Sequence, residues 1–558
     1  MKKSNMSVER ILFQGIIPLL LMLLVADFSA AFESGKKDLN QQGSYQVVGI
    51  GPGDADLMTG RALAAITSAD IVFCNGESRE KLSSVVDFKG KEVIEGYSVL
   101  FRFYGKDCNS LSEEERTKHK MSCEAYQEKQ KTFAVMVRKA VAGGKKVVLL
   151  SSGDPTIYGP GIWTLKELSD LNPVLIPGLS SFNAATAALK VGLGEVILTA
   201  PFKGRGGKEV RDKIEDLVKY DKATVVIFMP REMDDLLKRI SSACPPDTPL
   251  AAVSFAGHKG KEKVIVGTVA DMGKKLEGED TGATLIYVGK ALNEASCRFA
   301  PSKKEKNKGK FYLVGAGPGD SDLATLRAVN VLKKADMIFT AEKISARFKA
   351  ELAGKTIIDG YHRLFPFYGK NCSEVTEKER SNERMSCEEY HKKQEEVSRM
   401  VRKAVAEGKH VAMLDSGDPL IYGPCSWTLT EFRDIETEVV PGLSCFNAAN
   451  AALRQGVTEG SSSHSVVFAS GWTVDEMSAL QSTLVLFTMR TEFEKFITTL
   501  SKHYPADTPI AIVSSAGYAE KEKVVRSKLG TILNDTGKDE LPFEYLLYVG
   551  DFLNGNFK

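Results

Sequence analysis

At 558 residues the chain has room for about four units of 150 residues, and 43% apolar with 26% charged residues is ordinary globular composition. Lys and Arg number 74 against 72 Asp and Glu, a formal net charge of +2. No global field therefore draws the chain to nucleic acid or to an acidic surface, and a polyanion partner is not expected.

The first 31 residues differ in kind from the rest. Lys2, Lys3 and Arg10 precede an apolar run from Ile11 to Ala26, and Ser29 and Ala31 offer small residues at a possible cut. That order is the layout of a secretory signal, so residues 1–31 are set apart from the fold as a signal peptide or membrane anchor. The run is short for a membrane span and Pro18 interrupts it. The chain beyond residue 31 is expected on the far, periplasmic side of the cytoplasmic membrane, exported or anchored there.

The segment Val47 to Asp54, VVGIGPGD, reads as a buried strand entering a glycine-rich turn. A dinucleotide fold is the first comparison, but Gly49, Gly51 and Gly53 miss the G-x-G-x-x-G spacing, and Pro52 brings no N–H to a pyrophosphate. The second strand also ends without an acidic ribose ligand, so nicotinamide binding is not expected. The turn either lets main chain approach a ligand or is merely a tight strand-to-helix connection.

Next comes an insert containing Phe101, Phe103, Tyr104, Lys106 and Cys108, then Cys123, and it leads into the amphipathic stretch EKQKTFAVMVRKAVAGG. The strand KKVVLLSS then opens onto Gly153-Asp154-Pro155 and Tyr158; Pro177-Gly178 starts a small-residue helix; TVVIFM leads to Met229; Thr248-Pro249 opens LAAVSF. Short β-branched runs alternating with amphipathic stretches predict an α/β fold with parallel or mixed sheets. Breaks near Asp170–Pro173 and Asp434–Glu438 suggest two lobes in each copy.

There are two copies. With Gly49 set against Gly315 the chain aligns with itself to its end: LVGAGPGD, LDSGDPLIYGP, VVPGLSCFNAANAAL and TPIAIVSSAG repeat the first set about 265 residues later. The expected organisation is repeat 1 over residues 44–295, a lysine-rich linker over 296–309 and repeat 2 over 310–553.

In order, V-G-x-G-P-G-D, S-G-D-P-x-x-Y-G, P-G-x-S-x-x-N-A-A and T-P, found twice, resemble the tetrapyrrole methylase family, the uroporphyrinogen-III and precorrin methyltransferases. The S-S-G-D-P wording is most similar to the precorrin-3B ring-contraction branch. The resemblance implies two α/β lobes per copy with S-adenosyl-L-methionine in the cleft between them, a tetrapyrrole-like substrate, and an intrachain pseudo-dimer of the two repeats. It places cofactor contacts at Gly51, Pro52, Gly53, Gly153, Asp154, Pro155, Ser181, Met229, Thr248 and Pro249. In repeat 2 these are Gly317, Pro318, Gly319, Gly417, Asp418, Pro419, Thr508 and Pro509.

Backbone carbonyls around Pro52 and Gly153, or Pro318 and Gly417, would suit a cationic sulfonium. Asp54 and Asp320 match the position of a base that removes a proton from the macrocycle, and each is equally placed to cap the adjoining helix. Asp154 and Asp418 are expected to pin their loops. Tyr158 and Tyr422 face ligand or core, while Ser180, Ser181, Ser444, Asn183 and Asn447 are placed to hydrogen-bond substrate or cofactor. Thr488 in repeat 2 stands where repeat 1 has Met229.

Of nine cysteines only Cys108, Cys123, Cys372 and Cys387 recur in both copies. Two C-x14-C pairs in an exported chain suggest disulfides. Zinc is the rival reading, without close C-x-x-C spacing or a repeated histidine, and no metal site is expected. The aromatic triplets Phe101, Phe103, Tyr104 and Phe365, Phe367, Tyr368 pack the insert or stack on a flat macrocycle, with Lys106 and Lys370 near a propionate. Two functions stay open: a methyltransferase, and an exported protein that holds a tetrapyrrole or other small ligand in the same cleft without chemistry.

Overall fold

The computed structural model describes residues 43–97, 99–117, 119–201, 212–294, 309–487, 492–537, 541 and 544–554. The expected leader (residues 1–31), most of the expected linker (296–309) and Thr488 lie outside these residues. Among the described residues no helix is long and apolar enough to cross a membrane. The chain forms two compact units, one ending at Pro155 and including Gly159–Gly178, the other built from Thr156–Tyr158 and everything from Leu179 onward.

The first unit holds a five-stranded sheet of β1 (Ser44–Gly49), β2 (Ile71–Cys74), β3 (Glu92–Glu95), β4 (Lys146–Ser151) and β5 (Val174–Ile176) in the order β3-β2-β4-β1-β5. Every pairing is parallel. A parallel sheet is covered on both faces, which is why β2 and β4 are near-continuous apolar runs. The lobe break does not fall near Asp170–Pro173. Val174–Ile176 instead pairs with β1 and completes this sheet, so the boundary comes at Gly178.

Two helices cover this sheet. Helix α1 (Gly60–Ser68) begins where the Thr59 hydroxyl accepts the Ala62 N–H, and the 20-residue α2 (Cys123–Ala142) begins at a Ser122 cap. Phe133 of α2 packs edge-on against Tyr45 and Phe73. The insert is stapled to the start of α2 by a Cys108–Cys123 disulfide, and Cys372–Cys387 repeats the arrangement in the second copy. With those sulfurs paired, no thiolates remain there for zinc.

Most insert aromatics pack rather than present a stacking face. Phe103 and Phe367 are buried, while the Tyr104 and Tyr368 rings lie against Trp163 and Trp427 and donate to Glu167 and Glu431. Phe101 and Phe365 remain exposed, and Lys370 pairs with Glu379.

In the second unit, α3 (Ser181–Leu189) leads to β6 (Val196–Thr199), β7 (Thr224–Ile227), β8 (Pro249–Ser254), β9 (Lys263–Thr268) and β10 (Thr284–Val288). The second copy then repeats the first lobe as β11 (Phe311–Gly315), α4 (Leu326–Lys334), β12 (Met337–Phe339), β13 (Thr356–Ile358), α5 (Cys387–Ala406), β14 (Val411–Asp415) and β15 (Thr437–Val440). Its sheet has the same order, β13-β12-β14-β11-β15. Helix α6 (Cys445–Leu453) precedes β16 (Val466–Ser470), β17 (Thr483–Phe487), β18 (Pro509–Ser514), β19 (Lys523–Lys528) and β20 (Tyr545–Val549).

The second lobes of the two repeats share one ten-stranded sheet, β19-β18-β20-β17-β16-β6-β7-β10-β8-β9. The joint is an antiparallel pairing of β6 with β16, Val466 opposite Leu198 and Phe468 opposite Val196. An antiparallel joint between equivalent strands relates the two second lobes by a local two-fold, as in an isologous contact, here within one chain.

The exchange extends beyond the sheet. The Leu193 N–H bonds to the Leu420 carbonyl at 2.7 Å and the Tyr422 N–H returns to the Leu193 carbonyl at 2.9 Å, while the Val457 N–H reaches the Thr156 carbonyl at 3.0 Å. Each S-G-D-P-x-x-Y strap thus pairs with the segment just beyond the small-residue helix of the other copy.

Candidate functional site

Carboxyl ends of parallel strands are where an open α/β sheet presents main chain to a ligand. In the first unit the ends of β1 and β4 join through a Gly51–Gly153 bridge, and a Cβ on Gly178 would collide with the Gly153 carbonyl. In the second unit Gly317 bridges Gly417, and Gly442 packs equally close on Gly417 and Gly315. The three motif-bearing strand ends therefore meet in each copy. The floor comprises Gly51, buried Pro52, Gly53, Gly153 and Pro155, and in repeat 2 Gly317, Pro318, Gly319, Gly417 and Pro419.

Most of these glycines serve backbone packing. Gly317 is left-handed (φ 70°), and Gly319 (φ 67°) lies so close to Gly517 that any Cβ would collide with it. Gly417 differs: the nearest atoms to a Cβ there are the Leu443 carbonyl oxygen at 3.7 Å, Ser444 Cα at 3.8 Å and the Cys445 nitrogen at 3.9 Å. A Cβ there would make only ordinary contacts, so it is the left-handed backbone (φ 72°) that calls for glycine at this position.

The carbonyls beside the two prolines do not wait for a sulfonium. Gly317 O accepts the Gly417 N–H at 3.2 Å and Arg347 Nη1 at 3.0 Å; Arg347 Nη2 reaches Ala316 O at 3.1 Å and Asp320 O at 3.4 Å. In repeat 1 the equivalent Lys81 bonds to Gly51 O at 2.7 Å and Ile50 O at 3.1 Å. Both lone pairs of Gly51 O and of Gly317 O are thus used. Burial pushes the Lys81 amine down to about 8 against the pull of Asp54, Asp56 and Glu77, and burial likewise lowers Arg347. The signal for this cation was a Lys and an Arg at one aligned position, in a stretch with no motif to single it out.

Asp54 and Asp320 stand partly exposed at the mouth of the turn, and neither side chain caps the short helix behind it. In repeat 2 the Asp320 N–H donates to Gly517 O at 3.1 Å and its carboxylate accepts the Ala519 N–H at 2.9 Å. The loop after β18 therefore orients this carboxylate from the second lobe. The sequence marks Gly517 only as the end of a repeated segment, the Ala-Gly pair after this strand recurring as Ala256-Gly257 and Ala516-Gly517.

Thr508 and Pro509 do not join this floor. They open β18, where Leu529 N–H and Gly550 N–H bond to their carbonyls, whereas Gly517 lies beyond its far end. A strand of that length separates its ends by about 17 Å. Thr248 and Pro249 occupy the same place on β8, where Val269 N–H and Gly289 N–H bond to their carbonyls.

The polar residues after the proline-glycine turn are used internally. Ser180 and Asn183 form a reciprocal capping box, as do Ser444 and Asn447. Asn183 Nδ2 then donates to Asp418 Oδ2 at 2.9 Å, and Leu420 N–H bonds to Asp418 Oδ1 at 2.9 Å. Asp418 thus pins its loop to the other repeat. Burial pushes its carboxyl up to about 7, against the pull of those bonds. Asp154, its counterpart, is 3% exposed.

Tyr158 donates to His464 O at 2.8 Å, and the Tyr422 ring packs on Phe487 at 4.8 Å, so both face the core. Ser181 heads α3 half-buried, and Met229 is exposed in a left-handed conformation (φ 52°) after β7.

A stretch of 258 residues is 34% identical to the cobalt-precorrin-4 C(11)-methyltransferase of Methanocaldococcus jannaschii, covering 44% of this chain and 87% of that protein. The siroheme synthase of Azotobacter vinelandii is 26% identical over 302 residues, 52% of this chain, and the chain spans only 58% of that relative's length. A solved cobalt precorrin-4 methyltransferase is 24% identical, covered over 99% of its length by 46% of this chain, with a TM-score of 0.36. The model of the Tetrapyrrole (Corrin/Porphyrin) Methylases matches residues 46–273 and again 310–533, and the chain belongs to that family, carrying its module twice.

Proposed function

We propose that the chain is an S-adenosylmethionine-dependent methyltransferase acting on a carbon of a tetrapyrrole, with repeat 2 as a complete cleft. The observation that carries this reading is the convergence of G-P-G-D, S-G-D-P and P-G-x-S strand ends in both copies, with Asp320 oriented by the Gly517 loop of the second lobe. Relatives named as precorrin methyltransferases support the substrate class.

Glycine-lined main chain and a half-exposed carboxylate fit a zwitterionic nucleoside, and Gly417 with the start of α6 would hold it. When bound, that cofactor supplies an electrophilic methyl group for in-line displacement by carbon. The protein's share is orientation and charge placement. Asp320, fixed by the Ala519 N–H, takes the proton from the methylated carbon, and Asp54 does the same in repeat 1. Arg347 and Lys81 act through the turn, holding its carbonyls so that the aspartate faces outward.

Calorimetric titration of the purified chain with S-adenosylmethionine tests this, followed by methyl transfer to uroporphyrinogen III or a cobalt-precorrin. Asp54→Asn with Asp320→Asn abolishes turnover and leaves cofactor affinity within about twofold; retained turnover removes the base assignment.

We infer in addition that the chain works in an oxidising compartment, a reading supported by its leader sequence and two disulfides. Cofactor supply there is the difficulty that keeps a second reading, a tetrapyrrole holder without chemistry. Heat on titration with tetrapyrrole but none with S-adenosylmethionine selects that one.

A further inference from the structure

Repeat 2 contains a side-chain cluster that repeat 1 lacks altogether. His362, Asp415 and Cys425 stand where the first copy has Ser98, Ser151 and Gly161, so three chemically plain positions have become an imidazole, a carboxylate and a thiol. They come from three separate segments: the loop after β13, the last residue of β14, and the strap beyond Tyr422. The fold gathers them. His362 Nε2 lies 3.0 Å from Asp415 Oδ1, and the nitrogen, oxygen and Cys425 sulfur are all within 4.8 Å of one another.

The group is held from outside. Ser416 N–H and Cys425 N–H bond to the two Asp415 oxygens at 2.8 and 3.2 Å. Arg363, next to His362, is left-handed (φ 64°), while Val99 at the same place in repeat 1 is not among the left-handed residues. Asp415 and Cys425 are buried and the His362 side chain is 13% exposed, so one edge of the cluster meets solvent. Among the described residues His362 is the one side chain in ion-pair range of the Asp415 carboxylate, and the Arg363 charge acts on the neighbouring Cys425.

We propose that His362, Asp415 and Cys425 form a three-ligand site for a borderline divalent metal ion of the zinc or cobalt class, present in the second repeat only. The donors are one nitrogen, one oxygen and one sulfur, the set such ions take, and three protein ligands leave a fourth position open toward His362's exposed edge. Tetrahedral donors about 2.0–2.3 Å from the ion lie about 3.3–3.8 Å apart, so rotamer adjustments suffice to close the cluster on it. On binding, the Cys425 thiol releases its proton to solvent and the thiolate ligates, with no change of oxidation state. The ion ties the loop after β13 to the strand end that carries Gly417, which distinguishes the second cleft from the first independently of the methyl transfer reading.

The test is cobalt titration of the purified, oxidised full chain followed by absorption. One Co2+ per chain, with a thiolate-to-cobalt charge-transfer band and tetrahedral visible bands, is expected. Cys425→Ser removes the charge-transfer band and His362→Ala weakens binding by about tenfold or more. A triple variant, His362→Ser with Asp415→Ser and Cys425→Gly, copies repeat 1 and guards against misfolding; its native circular dichroism with no bound cobalt supports the site. Cys372→Ser with Cys387→Ser retains the full signal, since those two sulfurs are bonded to each other and supply no ligand to this cluster. No cobalt band at tenfold excess of metal, or a band unchanged in Cys425→Ser, overturns the proposal.

Discussion

Asp418→Asn probes the carboxyl that links the two copies. Asp418 is 4% exposed and accepts from Leu420 N–H and from Asn183 Nδ2, 235 residues away. Burial raises its carboxyl from the ordinary 3.8 to about 7, with the nearby Asp415 charge adding to the rise. Between those values the folded chain holds a proton that the unfolded chain has lost. The contribution to stability is therefore complete below about pH 4 and disappears as pH rises through about 7. Three units at about 1.4 kcal/mol each give about 4 kcal/mol.

Asparagine is neutral throughout and keeps an oxygen for Leu420, but it sets an amide against the Asn183 amide. Asn183 cannot turn, because its oxygen accepts the Ser180 N–H and hydroxyl. The variant is then about 1–3 kcal/mol less stable than the parent at pH 5, and the deficit shrinks or reverses at pH 8. Urea unfolding followed by tryptophan fluorescence at both pH values measures this, and difference infrared of the protonated carboxyl reads the proton directly. Equal pH slopes for parent and variant, with no carboxyl band lost, would refute the reasoning.

Arg347→Met strips its donor from three carbonyls and costs about 1–3 kcal/mol in lost charge-assisted hydrogen bonds and unpaired acceptors; Arg347→Lys, the residue repeat 1 uses, recovers most of it in thermal melts. Gly319→Ala drives a Cβ into Gly517 at a left-handed position, so S-adenosylmethionine binding is lost in calorimetry while circular dichroism stays native. Non-reducing peptide mapping finds Cys108–Cys123 and Cys372–Cys387, and reduction of each loop lowers stability by about 3 kcal/mol. Four free thiols in the mapped protein would contradict that result.

The features legible without coordinates were local or repeated. Each strand is a short run of β-branched residues, each turn has its own Gly-Pro grammar, and duplication prints every signal twice. The order of motifs thereby gave the α/β class, the two copies and the four pairing cysteines. Glycines at strand ends were legible as a floor because a parallel sheet brings its carboxyl edges together whatever the helices between them.

Only the tertiary structure decided which groups are taken. Gly317 O looks available until Arg347, thirty residues on, fills its second lone pair. Thr508 opens β18, and Gly517, a strand length away beyond its far end, is the residue whose carbonyl accepts the Asp320 N–H. The Asn183–Asp418 bond, the β6–β16 joint and the His362, Asp415, Cys425 cluster each join residues far apart in the chain. Such pairings depend on how segments distant in the chain pack in three dimensions, and composition and spacing carry no term for that packing.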